Sequence, residues 1–148
     1  PDDLAGNLGH EREREGAGRA QLAHDVMLGA RGVRRIVERL LDDAVDNRTG
    51  SPTFGQWAAV ELSPENGDQL WVPAGFAHGF MTLVDNTVIS YKVTAPYSAA
   101  NDRGVKWEDP AIGINWPKPE GCILSDKDAK QPLLSELPEY FTYQNTGN

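Results

Sequence analysis

The chain has 148 residues, enough for one domain with a sizeable core, and its 22 acidic against 14 basic residues give a net charge of −8. No Lys/Arg-rich run appears, which argues against nucleic-acid binding, because neutralising phosphates takes clustered cations. No apolar stretch approaches the roughly 20 residues that a membrane-spanning helix needs, and the single cysteine, Cys122, excludes an internal disulfide or a cysteine-rich metal site. The polar, charged amino end is not expected to act as a secretory signal, so a cytoplasmic protein is the default expectation.

The chain changes character near residue 50. All twelve aromatic residues lie at or after Phe54; the first fifty residues hold eight arginines and no lysine, the remainder five lysines and one arginine. The opening Pro1 to Ala20 is rich in Gly, Arg and Glu with little apolar content, and reads as disordered. Between Val33 and Val45 the apolar positions Val33, Ile36, Val37, Leu40, Leu41, Ala44 and Val45 recur at three- and four-residue spacing, with Glu38 and arginines between them. That pattern predicts an amphipathic helix, at least up to about Leu40.

From Thr49 onward the pattern is β. Ser51-Pro52-Thr53 is a turn, Gln56 to Leu62 a strand, Pro64 to Gly67 a second turn, and Gln69 to Val72 a short strand ending at Pro73. Pro73-x-Gly75-x-x-His78 is a tight turn that delivers a histidine onto the start of another strand. The run from Phe80 to Val93 is rich in β-branched and aromatic residues and is broken only by Asp85-Asn86. It predicts two strands joined by a short loop and paired with one another, so that His78 and Tyr91 sit on paired strands. Either side chain can carry a proton at a sugar-sized site. After Pro96 the chain reads as loops and a short helical turn laid on the outside of the β core. Many short strands punctuated by Gly, Pro and Asn argue for a sandwich or jelly roll.

Several segments together resemble the dTDP-4-dehydrorhamnose 3,5-epimerase family: Ser51-Pro-Thr-Phe-Gly-Gln-Trp57, Gln69-Leu-Trp-Val-Pro-Ala-Gly-Phe-Ala-His-Gly-Phe80, Tyr91-Lys-Val-Thr-Ala-Pro-Tyr97, Trp107-Glu-Asp-Pro-Ala-Ile-Gly-Ile-Asn-Trp-Pro117 and Leu124-Ser-Asp-Lys-Asp-Ala129. The resemblance covers about residues 40–135. It implies an all-β, cupin-type jelly roll, here incomplete, with residues 1–35 as a divergent segment that is disordered or helical and residues 36–148 as the cupin-like domain. It implies strand, not helix, near Asp42–Asp46. It further implies a homodimer and a cofactor-free, metal-free isomerase acting on a dTDP-linked sugar, with no nucleic-acid or membrane partner. The implied reaction is epimerisation at C3 and C5 of dTDP-4-dehydro-6-deoxy-D-glucose, on the route to dTDP-L-rhamnose.

That chemistry needs a base on one face of the sugar, an acid on the other, and donors for the enolate oxygen, because the C4 ketone acidifies the C3 and C5 hydrogens. In the resemblance Tyr91 matches the tyrosine acid and Asp42 the aspartate that orients the base. His78, Asp102 and Lys127 match substrate-binding positions. The chain departs from the family at the base histidine, which the family carries in an Arg-Gly-Leu-His-Tyr-like segment followed by a Gly-Lys-Leu-Val-Arg-like strand. Neither motif is present; His24 stands at about the right distance in a different setting. A reduced activity is therefore expected, and the change in composition suggests that the first 35 residues are foreign to the fold.

Plainer readings stand beside each of these. A histidine after such a turn is often structural, a tyrosine in an apolar strand is usually core, and Ser125-Asp-Lys-Asp128 reads locally as a solvated turn. Asp42 read alone is a surface carboxylate, and the Trp107/Trp116 pair reads as packing. Two other functions compete: a non-catalytic sugar-nucleotide-binding cupin domain, and a metal-dependent cupin enzyme. The second needs a His-x-His pair and a glutamate on an earlier strand, and the three histidines are not so spaced.

Overall fold

The computed structural model describes residues 39–117 and 120–145 in full, and the backbone of residues 12–15, 21–26 and 31–37. Ten strands run in chain order: β1 (Arg12–Glu15), β2 (Gln21–Val26), β3 (Arg31–Val37), β4 (Leu40–Asp46), β5 (Trp57–Leu62), β6 (Trp71–Val72), β7 (Phe76–Thr82), β8 (Val88–Val93), β9 (Arg103–Gly104) and β10 (Ile123–Leu124). Three single 3-10 turns, at residues 99–101, 128–130 and 134–136, are the helical elements among the described residues.

The strands form two open sheets, one ordered β1-β8-β3-β6 and the other β10-β2-β7-β4-β5, with β9 also on β2. This is the two-layer jelly roll expected from the β-rich reading. The expected helix is not formed. Val33 to Val45 is divided between β3 and β4, and these lie in different sheets. The reason is visible in β4, which is central in its sheet and buried along most of both faces. A strand covered on both faces has no polar side, so its apolar residues lose period-two alternation and mimic helical spacing. The described parts of the first 35 residues are strand as well, contrary to the disordered or helical reading; the rest of Pro1–Ala20 lies outside the described residues.

A second expectation also fails. β7 and β8 are not paired with each other: β7 pairs with β2 and β4, β8 with β1 and β3. The Asp85-Asn86 turn is present, with Asn86 at a φ of 59°, but it carries the chain from one sheet to the other instead of closing a hairpin.

The core has two levels. Between the sheets, Leu40, Leu62 and Phe80 meet Ile89 and Tyr91 of the facing sheet. On the outer face of the larger sheet, Val45 and Ala77 pack under Val105, Ile112 and Leu134, while Met81 packs under Trp116. The tail therefore covers the β core from outside, as its composition suggested. Trp107 and Trp116 are packing residues, their rings 6.3 Å apart and the Trp116 indole N–H donating to the Trp107 carbonyl at 2.9 Å. Asp109 ties two stretches of the tail together by accepting the amides of Ala111 and Leu134 at 2.8 and 2.6 Å. Each fully enclosed Leu, Val or Met contributes roughly 2 kcal/mol of hydrophobic stabilisation.

Candidate functional site

The segment from Pro73 to His78 turns sharply before β7 begins. Gly75 takes a φ of 89°, a conformation that L side chains rarely adopt. Three residues later His78 stands on the inner face of β7, 2% exposed, beside Phe80 two residues on. The register of β4 against β7 sets Asp42 opposite Phe80 and Ala44 opposite His78, so Asp42 shares the inner face with the imidazole. The His78 Nε2 and Asp42 Oδ1 atoms are 2.6 Å apart, both side chains sealed from solvent. With Asp42 as a carboxylate, Nε2–H is the donor, which fixes the ring and leaves Nδ1 as the nitrogen not committed to Asp42. Asp42 Oδ2 is buried without a hydrogen-bond partner among the described residues.

Tyr91 lies across the sandwich on β8, 4% exposed, in the same interior cluster as Phe80. The imidazole and the phenol therefore enter the interior from opposite sheets, not from neighbouring strands. Neither ring points at bulk water.

Asp102 and Lys127 form a second group. Asp102 follows the 3-10 turn at 99–101, and Lys127 precedes the one at 128–130. The Lys127 ammonium bonds Asp102 Oδ1 at 2.9 Å, and the Tyr97 hydroxyl donates to Oδ2 at 3.0 Å. Both side chains of the ion pair are partly open to solvent. Strand β2 gathers these loops, since it pairs with β7, with β9 just after Asp102, and with β10 just before Lys127. Tyr97 is absent from the sequence-level candidates. Its signal was available, as the last residue of the Tyr91–Tyr97 motif.

In β2 the register sets Asp25 opposite His78 and His24 opposite Gly79. The side chain of His24 lies outside the described residues, as does all of His10. Among the described residues no group of three or more His, Cys, Asp or Glu is placed to hold a metal ion, and no helix is long and apolar enough to cross a membrane. Burial pushes the Cys122 thiol up from its usual range, consistent with an inert cysteine. A groove of about 690 Å³ lies elsewhere, on the flank lined by Phe54, Trp57, Ile112 and Leu134, and none of the candidate residues lines it.

At the far end of β4 a different constellation stands out. The buried carboxylate of Asp46 accepts from the Arg48 amide at 3.0 Å, from Arg48 Nε and Nη2 at 2.8 and 2.7 Å, from Ser51 Oγ at 2.6 Å and from Thr53 Oγ1 at 2.7 Å. Burial alone would raise its pKa, but these donors together hold it well below the usual carboxylate range. The Arg48 guanidinium lies over the rings of Phe76 and Tyr143, at 4.6 and 5.0 Å.

Comparison with known proteins bears on this arrangement. The family model described as dTDP-4-dehydrorhamnose 3,5-epimerase matches residues 25–136. The chain is 70% identical over 104 residues to a dTDP-4-dehydrorhamnose 3,5-epimerase of Sinorhizobium fredii, covering 70% of this chain and 53% of that protein. It is 51% identical over 104 residues to the enzyme of that name from Salmonella typhimurium, covering 70% of this chain and 57% of that one. The chain thus spans little more than half the length of these relatives. Among solved structures, a dTDP-6-deoxy-D-glucose-3,5-epimerase from Legionella pneumophila in complex with dTDP-4-keto-L-rhamnose aligns at a TM-score of 0.84 and 34% identity, covering 95% of this chain and 78% of that chain. A dTDP-4-dehydrorhamnose 3,5-epimerase from Bacillus anthracis with TDP and PPi bound aligns at 0.78 and 40% identity, covering 84% and 73%.

Proposed function

The chain belongs to the dTDP-4-dehydrorhamnose 3,5-epimerase family, and from that premise we propose that it epimerises C3 and C5 of dTDP-4-dehydro-6-deoxy-D-glucose, more slowly than its full-length relatives. The observation that carries the proposal is the enclosed Asp42–His78 bond, set on the same interior face that Tyr91 reaches from the other sheet.

In this reading the C4 ketone lies between the two walls. A base removes the hydrogen from C3, the electron pair passes into the enolate, and a proton returns to the opposite face of the carbon; C5 then repeats the cycle. The Tyr91 hydroxyl supplies the returning proton. His78, its ring fixed by Asp42, offers Nδ1 as an acceptor for a sugar hydroxyl in an interior with little water. Lys127 offers its ammonium to the diphosphate, with Asp102 and Tyr97 holding it in place. These carbon acids need no cofactor, since the ketone itself is the electron sink. Slower turnover is expected because the segment around His24 departs from the family's Arg-Gly-Leu-His-Tyr-like setting of the base.

The finer expectations belong to the same proposal. A homodimer would cover apolar surface at Trp57, Trp71 and Tyr97, and a cytoplasmic location suits a chain with one cysteine.

The test is incorporation of solvent deuterium into C3 and C5 of the substrate, run beside dTDP binding. We expect binding with slow exchange at both carbons. Exchange at the rate of the full-length relatives would overturn the slow-turnover claim. Binding without any exchange would leave a sugar-nucleotide-binding domain, and neither binding nor exchange would end the proposal.

A further inference from the structure

We propose that Arg48 is a positioning residue: clamped on Asp46, it fixes the register of β4 on β7 by which Asp42 reaches His78. The need for such a pin is written in β4 itself. Its sequence is Leu40-Leu41-Asp42-Asp43-Ala44-Val45-Asp46, three consecutive pairs of similar residues. Slipping a strand by one residue turns every side chain to the opposite face. In most strands that slip would trade apolar residues for polar ones and be strongly opposed. Here a slip that sets each residue in its successor's place leaves the outer face almost unchanged, with Leu40 for Leu41, Asp42 for Asp43 and Ala44 for Val45, so that face does not oppose the slip. The site does distinguish the two registers. Asp42 lies on the inner face with His78, while the odd-numbered Leu41 and Val45 pack on the outer face. In that slipped strand Leu41 would stand on the inner face in the place of Asp42, and the 2.6 Å bond to His78 would be lost.

Arg48 joins the two strands where their ladder ends. The last pair is Asp46 with Phe76. The guanidinium grips Asp46 through Nε and Nη2 and stacks on Phe76. The Asn47 amide donates to the Gly75 carbonyl at 3.2 Å. The aliphatic stem of Arg48 closes on Gly75 so tightly that a Cβ there would stand 2.8 Å from its Cγ. Arg48 therefore touches the end of β4, the first residue of β7 and the turn that launches His78, and a slip of either strand breaks its contacts with Phe76 and Gly75 together. A lysine cannot reproduce this, lacking the two-pronged donor and the flat face.

The experiment follows the His78 imidazole in chain labelled with ¹⁵N-histidine, its Nε2 proton assigned by its loss in His78→Gln. Three variants are compared: Arg48→Met, Arg48→Lys for the case in which the methionine variant does not fold, and Thr53→Ala, which weakens the Asp46 cluster without touching β7. In either Arg48 variant we expect the low-field Nε2 proton to be lost or split into two populations. In Thr53→Ala we expect it unchanged although the melting temperature falls. Below the melting point kcat should drop about tenfold in the Arg48 variants with KM within about a factor of two, as befits a displaced group and not a lost binding contact. A folded Arg48 variant with an unaltered imidazole proton overturns the proposal, and so does an equal change in Thr53→Ala, which would mark a general loss of stability. The kcat arm rests on the epimerase reading. The imidazole signal needs no substrate, so it decides the positioning claim even if the chain proves inactive.

Discussion

Asp42 and His78, separated by 36 positions in sequence, meet at 2.6 Å in a part of the molecule that solvent does not reach. An enclosed carboxylate beside an imidazole is costly to keep unless each serves the other, and breaking such a pair by removing one partner is strongly destabilising. Asp42→Asn keeps the shape but replaces the charged acceptor with an amide. We expect kcat to fall about 10- to 100-fold with little change in KM, because the ring would no longer be held in one tautomer. Steady-state kinetics on the dTDP-keto sugar checks this; an unchanged kcat would assign the pair to structure alone.

Tyr91 gives a cleaner separation of fold from chemistry. Tyr91→Phe retains the ring that packs on Phe80, Leu40 and Ile89, so stability should change by no more than about 1 kcal/mol. Formation of the inverted product should fall at least about 100-fold if the phenol returns the proton. The measurement is product formation by NMR alongside thermal unfolding.

Lys127 is expected to act through binding. Its bond to Asp102 is partly exposed and contributes at most about 1 kcal/mol to the fold. Lys127→Ala should therefore leave the melting temperature nearly unchanged while weakening dTDP binding about tenfold, the loss of one charged hydrogen bond. Titration calorimetry with dTDP at two salt concentrations tests it, and the difference between wild type and variant should shrink at high salt.

Acid stability should be dominated by Asp46. Its carboxyl is depressed in the folded chain, so between that depressed value and the ordinary carboxylate pKa near 4 the unfolded chain binds more protons than the folded one. The contribution of Asp46 is thus fully present above about pH 5 and is lost progressively as pH falls below about 4. Denaturant midpoints measured from pH 6 down to pH 2 should decline more steeply in the wild type than in Asp46→Asn.

Gly75→Ala should be among the most damaging small substitutions. It demands a left-handed backbone of an L residue and drives a methyl into the stem of Arg48. A cost of about 2 kcal/mol or more is expected, read from denaturant unfolding.

Much of this architecture was readable from the residues. The strands β5, β7 and β8 and the turns at Pro52, Gly67 and Asn86 announce themselves through alternation and turn chemistry. What was not legible depended on partners far along the chain. Val33–Val45 looked helical by spacing, though the family resemblance implied the strand found at Asp42–Asp46; both faces of β4 are covered, by Ile89 and Tyr91 of the facing sheet on one side and by the tail on the other. The crossing between β7 and β8 was hidden because a short turn predicts a hairpin and says nothing about which sheet receives the second strand. Tyr91 and His78 could be singled out by type and spacing, yet their approach from opposite sheets could not. Asp102 and Lys127 were identified by motif alone; their direct bond is a product of two loops converging on β2.

Because the phenol and the imidazole hang from separate walls, the gap between them is set by sandwich thickness and not by any backbone ladder. In the proposed reaction, conditions that thin or swell the interlayer space, such as hydrostatic pressure or small apolar solutes, would alter proton traffic across the sugar while amide-exchange protection within each sheet stayed constant. Catalytic failure would then precede unfolding, and a chain that still looks native by its ladders would already have stopped working.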